Sequence, residues 1–251
     1  MTGLAVRVLG AVLACLMLAS GAAAKASKTA PAKPAVTDKA PADVDALLAS
    51  LAKAPGLYAH FREEKHITLL QQPLVSEGSI YFAPPSRFSR RTEKPLKSTM
   101  IIDGKQMSFS TEESHERLSL AANPVAQMFA DAFVMLLSGN RVGLEKIFKM
   151  QLTPATGGAS GEWKLVLTPR VSPMDKLIKE LELRGRGLNL NELDVRESNG
   201  DWTRTSFTQV DLNRRYTPAE QKKFFTVPRD PFQDFGRGGS TGQGAAPPDA
   251  R

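Results

Sequence analysis

The chain has 251 residues, with 33 Lys+Arg against 26 Asp+Glu, a formal net charge of +7, 41% hydrophobic residues and one cysteine. That length allows one or two domains and a sizeable core, and the composition excludes a collagen-like, disulfide-stapled or wholly disordered chain. The basic excess raises a nucleic-acid reading, which depends on where the charge sits.

Residues 1–24 have the form of an export signal, with Arg7 as sole charge, an apolar run Val8–Leu18, and Ala22-Ala23-Ala24 before an expected cleavage. The run is short for a membrane span. Val12-Leu13-Ala14-Cys15 faintly resembles a lipoprotein signal, but Leu13 is large where a small residue is usual, and Leu16-Met17-Leu18 carries the apolar run past the cysteine. Loss of Cys15 with the signal leaves no cysteine, which suits an oxidising compartment. Lipidation of Cys15 is the other reading, and it gives a tethered protein. Lys25–Ala42 is an Ala/Pro/Lys tract expected to be a disordered tether, and residues 229–251, rich in Gly, Pro and Ala, an equally loose tail. One domain is expected between them, over residues 43–228.

Along that domain, Asp43–Ala54 reads as a short amphipathic helix stopped by Pro55-Gly56. Leu57–Leu70 alternates as a strand, and Ser79–Phe82 and Arg87–Thr92 follow around Pro84-Pro85. Thr99–Ile102, Asp103-Gly104 and Lys105–Ser110 form a hairpin signal, with Asp-Gly suited to a type I′ turn. Asn123-Pro124 opens a helix closed by Gly139, and its apolar residues surround most of its circumference, as in a helix buried on more than one side. A second short helix is expected near Val142–Lys149. Strands return at Glu162–Thr168, Lys179–Arg184, Leu188–Glu197 and Trp202–Val210, with turns at Gly185-Arg186-Gly187 and Asn199-Gly200-Asp201. Thr217-Pro218-Ala219-Glu220 has the form of a capping box. The fold class is α+β, antiparallel strands with helices between strand blocks.

Chemical motifs are sparse. Ser50-Leu51-Ala52-Lys53 and Gly238-Gly239-Ser240-Thr241-Gly242 match hydrolase patterns by chance, without companion motifs or the strand–turn–helix context. His60 and His66 share a parity with Glu64, and a polar outer strand face explains them more simply than a metal site; His115 reads as exposed. Neighbouring carboxylates such as Glu63-Glu64 face opposite ways on a strand. No catalytic residue, cofactor or metal is therefore expected. The charge disperses too: residues 43–228 carry only +3, and four lysines sit in the tether. Nucleic acid is not an expected partner; a loose attraction to anionic lipid is.

An ordered set of residues then carries a resemblance. Tyr58-Ala59-His60-Phe61, Glu77-Gly78-x-Ile80-Tyr81-Phe82-x-x-Pro85-x-Arg87-Phe88, Pro95 and Ile101-x-Asp103-Gly104-Lys105 come first. Trp163-x-Leu165-x-Leu167-x-Pro169, Gly200-Asp201-x-Thr203-x-x-x-Phe207, Asn213 and Phe224-x-x-x-Pro228 follow. Together they resemble the LolA family, periplasmic carriers of outer-membrane lipoproteins, over nearly all of residues 43–228.

The resemblance implies an incomplete antiparallel β-barrel, a half-barrel, whose open side is covered by a lid of short helices over an apolar cavity for acyl chains. It implies a periplasmic, non-enzymatic monomer that accepts lipoprotein from the inner-membrane exporter LolCDE, passes it to the outer-membrane receptor LolB, and touches membranes only transiently. The cavity would draw on Tyr81, Phe88, Met100, Ile102, Met107, Phe109, Met128, Phe129, Phe133 and Leu136, with Arg87 as a headgroup or gate residue. A helix apolar on two faces, such as Pro124–Ser138, and methionines with adaptable side chains suit such a site, although a sealed core would use the same residues. In the family an arginine directly precedes the signature proline. Pro84 stands there in this chain, which points to a LolA-like relative carrying another lipid. A membrane-tethered lipid-sensing or interaction domain on the same fold is the alternative.

Overall fold

The computed structural model describes residues 40–154 and 161–226. The expected signal, all but the end of the tether, the tail and Pro228 lie outside the described residues. Strands dominate because long stretches alternate apolar and polar side chains. In β1 (Leu57–His66), the odd positions Leu57, Ala59, Phe61, Glu63 and Lys65 are buried, and the even positions face outward. β2 (Leu74–Ala83), β3 (Arg87–Lys94) and β4 (Ser98–Asp103) follow and turn Ile80, Phe82, Phe88, Met100 and Ile102 to the same core, although Ser79, Ala83, Ser89 and Ile101 on the other parity are buried too; β5 (Gln106–Thr111) and β6 (His115–Ser119) complete this half. After the helical segment come β7 (Phe148–Pro154), β8 (Glu162–Pro169), β9 (Ile178–Arg186), β10 (Asn189–Glu197) and β11 (Trp202–Asp211).

These make one antiparallel sheet in the order β6-β5-β4-β3-β2-β1-β11-β10-β9-β8-β7. The sheet is not closed: β6 and β7 are its two edges. The contact between β1 and β11 joins two meanders, with Phe61 opposite Phe207 and Glu63 opposite Thr205. A bulge interrupts that ladder beside Tyr58 and His60, and Gln209 there takes φ +53°. The extra residue resets the alternation, so Phe207 and Val210 both pack into the same core. At Gly78, inside β2, a Cβ would come within 2.0 Å of the Arg91 carbonyl oxygen, so the β2–β3 approach requires glycine.

Among the described residues, five α-helices and a 3₁₀ turn (Leu120–Ala122) accompany the sheet: α1 (Val44–Ala52), α2 (Pro124–Leu137), α3 (Arg141–Ile147), α4 (Met174–Leu177) and α5 (Pro218–Phe225). Asn123 caps α2 by accepting from the Ala126 N–H at 3.0 Å, with Pro124 where a missing N–H costs nothing. Gly139 ends it at φ +65°, and a Cβ there would sit 2.0 Å from the Leu48 carbonyl oxygen, so glycine lets α2 abut α1. α2 crosses between two clusters. Ala126, Ala130 and Leu137 pack with Phe61, Phe82 and Phe88 on one half of the sheet; Ala132 and Leu136 pack with Leu144, Trp163 and Leu165 on the other. The expected half-barrel with a helical cover is therefore the observed architecture, and the capping box on α5 forms between Thr217 and Glu220.

Several boundaries differ from expectation. β1 ends at His66, and Leu69 in the following loop is 92% exposed, so Leu57–Leu70 is not one strand. The hairpin turn centres on Gly104-Lys105 with positive φ at Gly104 alone, the pattern of type II′ and not type I′. Gly185 and Arg186 belong to β9, with the turn beyond them. The helix expected to reach Lys149 stops at Ile147, and Phe148 begins a strand. β6 and α4 were not expected; β6 is polar and mostly exposed, as befits an edge strand.

Candidate functional site

The two faces of the sheet divide the chemistry. On the convex face, charged residues on neighbouring strands pair. Arg204 on β11 holds Asp194 on β10 in a two-pronged contact, Nε to Oδ1 at 2.8 Å and Nη2 to Oδ2 at 2.7 Å. Arg184 on β9 joins the same carboxylate and also pairs with Glu182 and Glu192. Burial pushes the Asp194 carboxyl up, but the hydrogen bonds and charge of Arg204 outweigh it and hold the group below the usual carboxylate range.

The convex face also carries α5. Phe224 stacks on Tyr81 at 4.1 Å between ring centroids, and Tyr216 donates its hydroxyl to the Leu57 carbonyl oxygen at 2.5 Å. Burial raises the Tyr216 hydroxyl well above its ordinary value, which keeps it a donor.

The concave face is apolar and faces α2. Between them lies a cavity of about 160 Å³. Phe129, Phe133 and Leu136 close it from the helix; Phe88, Met100 and Ile102 wall it from β3 and β4. Phe61, Leu181, Val195 and Phe207 form the opposite side, and Glu63, Arg90, Thr203 and Thr205 supply its polar part. Phe133 is half-buried while lining this space, so α2 presents one side to packed core and another to the cavity.

Six of the expected positions thus meet around one space: Phe88, Met100, Ile102, Phe129, Phe133 and Leu136. Met107 and Phe109 lie on the concave face but pack in the adjoining core, and Met128 packs in the cluster around Leu144. Tyr81 and Arg87 are placed elsewhere. Both point from the convex face, because they alternate with Ile80, Phe82 and Phe88, which point inward. Arg87 Nη1 donates to Gln221 Oε1 on α5 at 3.0 Å. The β9–β11 wall lies outside the expected set: its strands alternate apolar residues, but nothing local says that they curve to face β3 and β4.

Such an open sheet, apolar inside, charged outside and covered by helices over an internal cavity, defines a half-barrel of the ligand-holding type. The chain belongs to the outer membrane lipoprotein carrier protein LolA-like family, whose model matches residues 35–213. An outer-membrane lipoprotein carrier protein of Hahella chejuensis (strain KCTC 2396) is 24% identical over 187 residues, 74% of this chain and 85% of that one. Among solved structures, a LolA superfamily protein from Nitrosomonas europaea matches with a TM-score of 0.38 at 9% identity, over 71% of this chain and 96% of that one. The lipoprotein LppX of Mycobacterium tuberculosis matches with a TM-score of 0.36 at 8% identity, over 68% and 97%.

Proposed function

We propose that this protein is a periplasmic carrier that takes up acyl chains of a lipoprotein, or of a related lipid, and shields them between inner and outer membranes. The observation that carries this reading is the apolar cavity between α2 and the concave sheet. Each buried methylene contributes about 0.8 kcal/mol, so ~10 of them supply about 8 kcal/mol before costs. Hydrocarbon burial alone can therefore hold the guest, and release needs only an acceptor that covers the same surface.

Volume adds a constraint. A cavity of about 150 Å³ accommodates benzene, so 160 Å³ takes the end of an acyl chain and not its full length. Loading therefore requires α2 to move outward from the sheet. The inner-membrane donor and outer-membrane acceptor would be the LolCDE- and LolB-type partners of the family, met transiently by a monomer. Native mass spectrometry of protein taken from periplasm, followed by identification of extracted lipid, tests the proposal. Consistently empty protein that also fails to bind a fluorescent acyl probe would sink it.

A further inference from the structure

One end of the cavity carries an assembly of polar groups that hydrocarbon binding does not require. Arg90 Nη2 donates to Glu63 Oε1 at 3.0 Å and to Ser76 Oγ at 3.3 Å, and the guanidinium lies 4.3 Å from the centre of the Phe61 ring. Thr205 Oγ1 donates to the other Glu63 oxygen at 3.2 Å. Glu63 and Arg90 are only 8% and 9% exposed, and burying such a pair inside an apolar cavity is costly.

Thr203 breaks the pattern of satisfied groups. It stands two residues before Thr205 on the same face of β11, lines the cavity and is 3% exposed. Its Oγ1 is buried with no hydrogen-bond partner among the described residues. A buried hydroxyl left unpaired is unfavourable; once α2 has moved outward to admit a whole acyl chain, an acceptor atom on the guest would remove that deficit.

The charge balance selects the kind of acceptor. Arg90 is matched by Glu63, and Lys65, opposite Thr203 in the ladder, is matched by Glu197 at 3.0 Å. A carboxylate or phosphate entering this patch would lose its hydration and find both cations already neutralised. A neutral carbonyl meets no such penalty. We propose that Thr203, beside the Glu63–Arg90 pair, forms a polar subsite for the ester or amide carbonyl that joins an acyl chain to its carrier molecule. The proposal rests on the carrier reading and narrows it to ester- or amide-linked lipids rather than free fatty acids.

Three probes test it on the full chain: diphenylhexatriene for the apolar cavity, methyl oleate for a neutral ester, and oleate at about pH 8, where it is ionised. The expected result is that Thr203→Val weakens methyl oleate about fivefold relative to diphenylhexatriene and oleate, while Thr203→Ser retains wild-type behaviour. Because Thr203→Val removes an unpaired hydroxyl without changing shape, its melting temperature should equal or exceed wild type. Unchanged methyl oleate affinity in Thr203→Val, an equal loss for all three probes, or an equal loss in Thr203→Ser would overturn the subsite. Failure of diphenylhexatriene to bind the wild-type protein is a separate outcome that removes the carrier reading, and the subsite with it.

Discussion

The ring of Phe133 on α2 meets the ring of Phe88 on β3 edge to face, with centroids 4.5 Å apart and planes at 70°. This contact joins the helical cover to the sheet beside the cavity, and both rings line that space. Such an aromatic pair contributes about 0.5–1.5 kcal/mol beyond its buried area. Phe133→Asp places a charge at this seam. Because Phe133 is half-buried and borders open volume, the variant should fold with reduced stability while probe affinity falls at least about tenfold. Circular dichroism with diphenylhexatriene titration checks both; wild-type probe affinity in the variant would contradict the placement.

Filling the space tests the same cavity from the opposite direction. Ala132 points toward it from α2 and is 8% exposed. Ala132→Leu adds three carbons, about 2 kcal/mol of new burial if the void accepts them. Probe affinity should fall while the melting temperature holds or rises. In a sealed core the same enlargement would cost about 1–3 kcal/mol, and thermal melting separates the two outcomes.

Asp194 should govern part of the acid sensitivity. Its carboxyl titrates below the ordinary value of 3.8 in the fold, so it binds a proton more weakly there than in the unfolded chain. Its stabilisation is therefore complete above that value and disappears as pH falls through the lower folded one. Asp194→Asn should cost about 1–3 kcal/mol near neutrality, below the cost for a fully buried pair because Arg204 is 40% exposed. Urea denaturation between roughly pH 2 and 7 should show the variant losing less stability on acidification than wild type. Parallel curves would exclude the assignment.

Tyr216 ties the segment before α5 to the start of β1 through the Leu57 carbonyl. Tyr216→Phe leaves that buried acceptor without its donor, at a cost of about 1–2 kcal/mol. The loss should appear as a lower urea midpoint with unchanged diphenylhexatriene affinity, since α5 lies on the convex face away from the cavity.

Intact mass of the exported protein should correspond to a chain starting at Lys25, unaffected by inhibition of the lipoprotein signal peptidase with globomycin. A globomycin-sensitive, lipidated form beginning at Cys15 would instead establish the tethered alternative.

Local punctuation was legible in the chain itself. Asn123 and Gly139 bound α2, Thr217 and Glu220 close a capping box, and the alternation of β1 identifies Phe61 as inward. These features depend on contacts within a few residues, so a single sequence carries them. The ordered motifs from Tyr58 to Asn213 likewise sufficed for the family.

What runs together locally was harder to read. Phe148, Met150 and Leu152 continue directly from the helix ending at Ile147, so helical and strand periods overlap and β7 was hidden. Tyr81 lies between Ile80 and Phe82, three apolar neighbours in a strand that can bury only one parity in the concave core.

The strand faces, the doubly apolar helix and the absence of concentrated charge can be read along the chain, because they follow from side-chain period and composition. Which residues enclose a cavity depends on long-range pairing. Phe61 and Phe207 are 146 positions apart yet directly opposed, and the β9–β11 wall reaches Phe88 only because the sheet curves under α2. Period tells each side chain which way to point. The pairing of distant strands decides what it faces, and here it left Thr203 beside a buried ion pair in a cavity built for hydrocarbon.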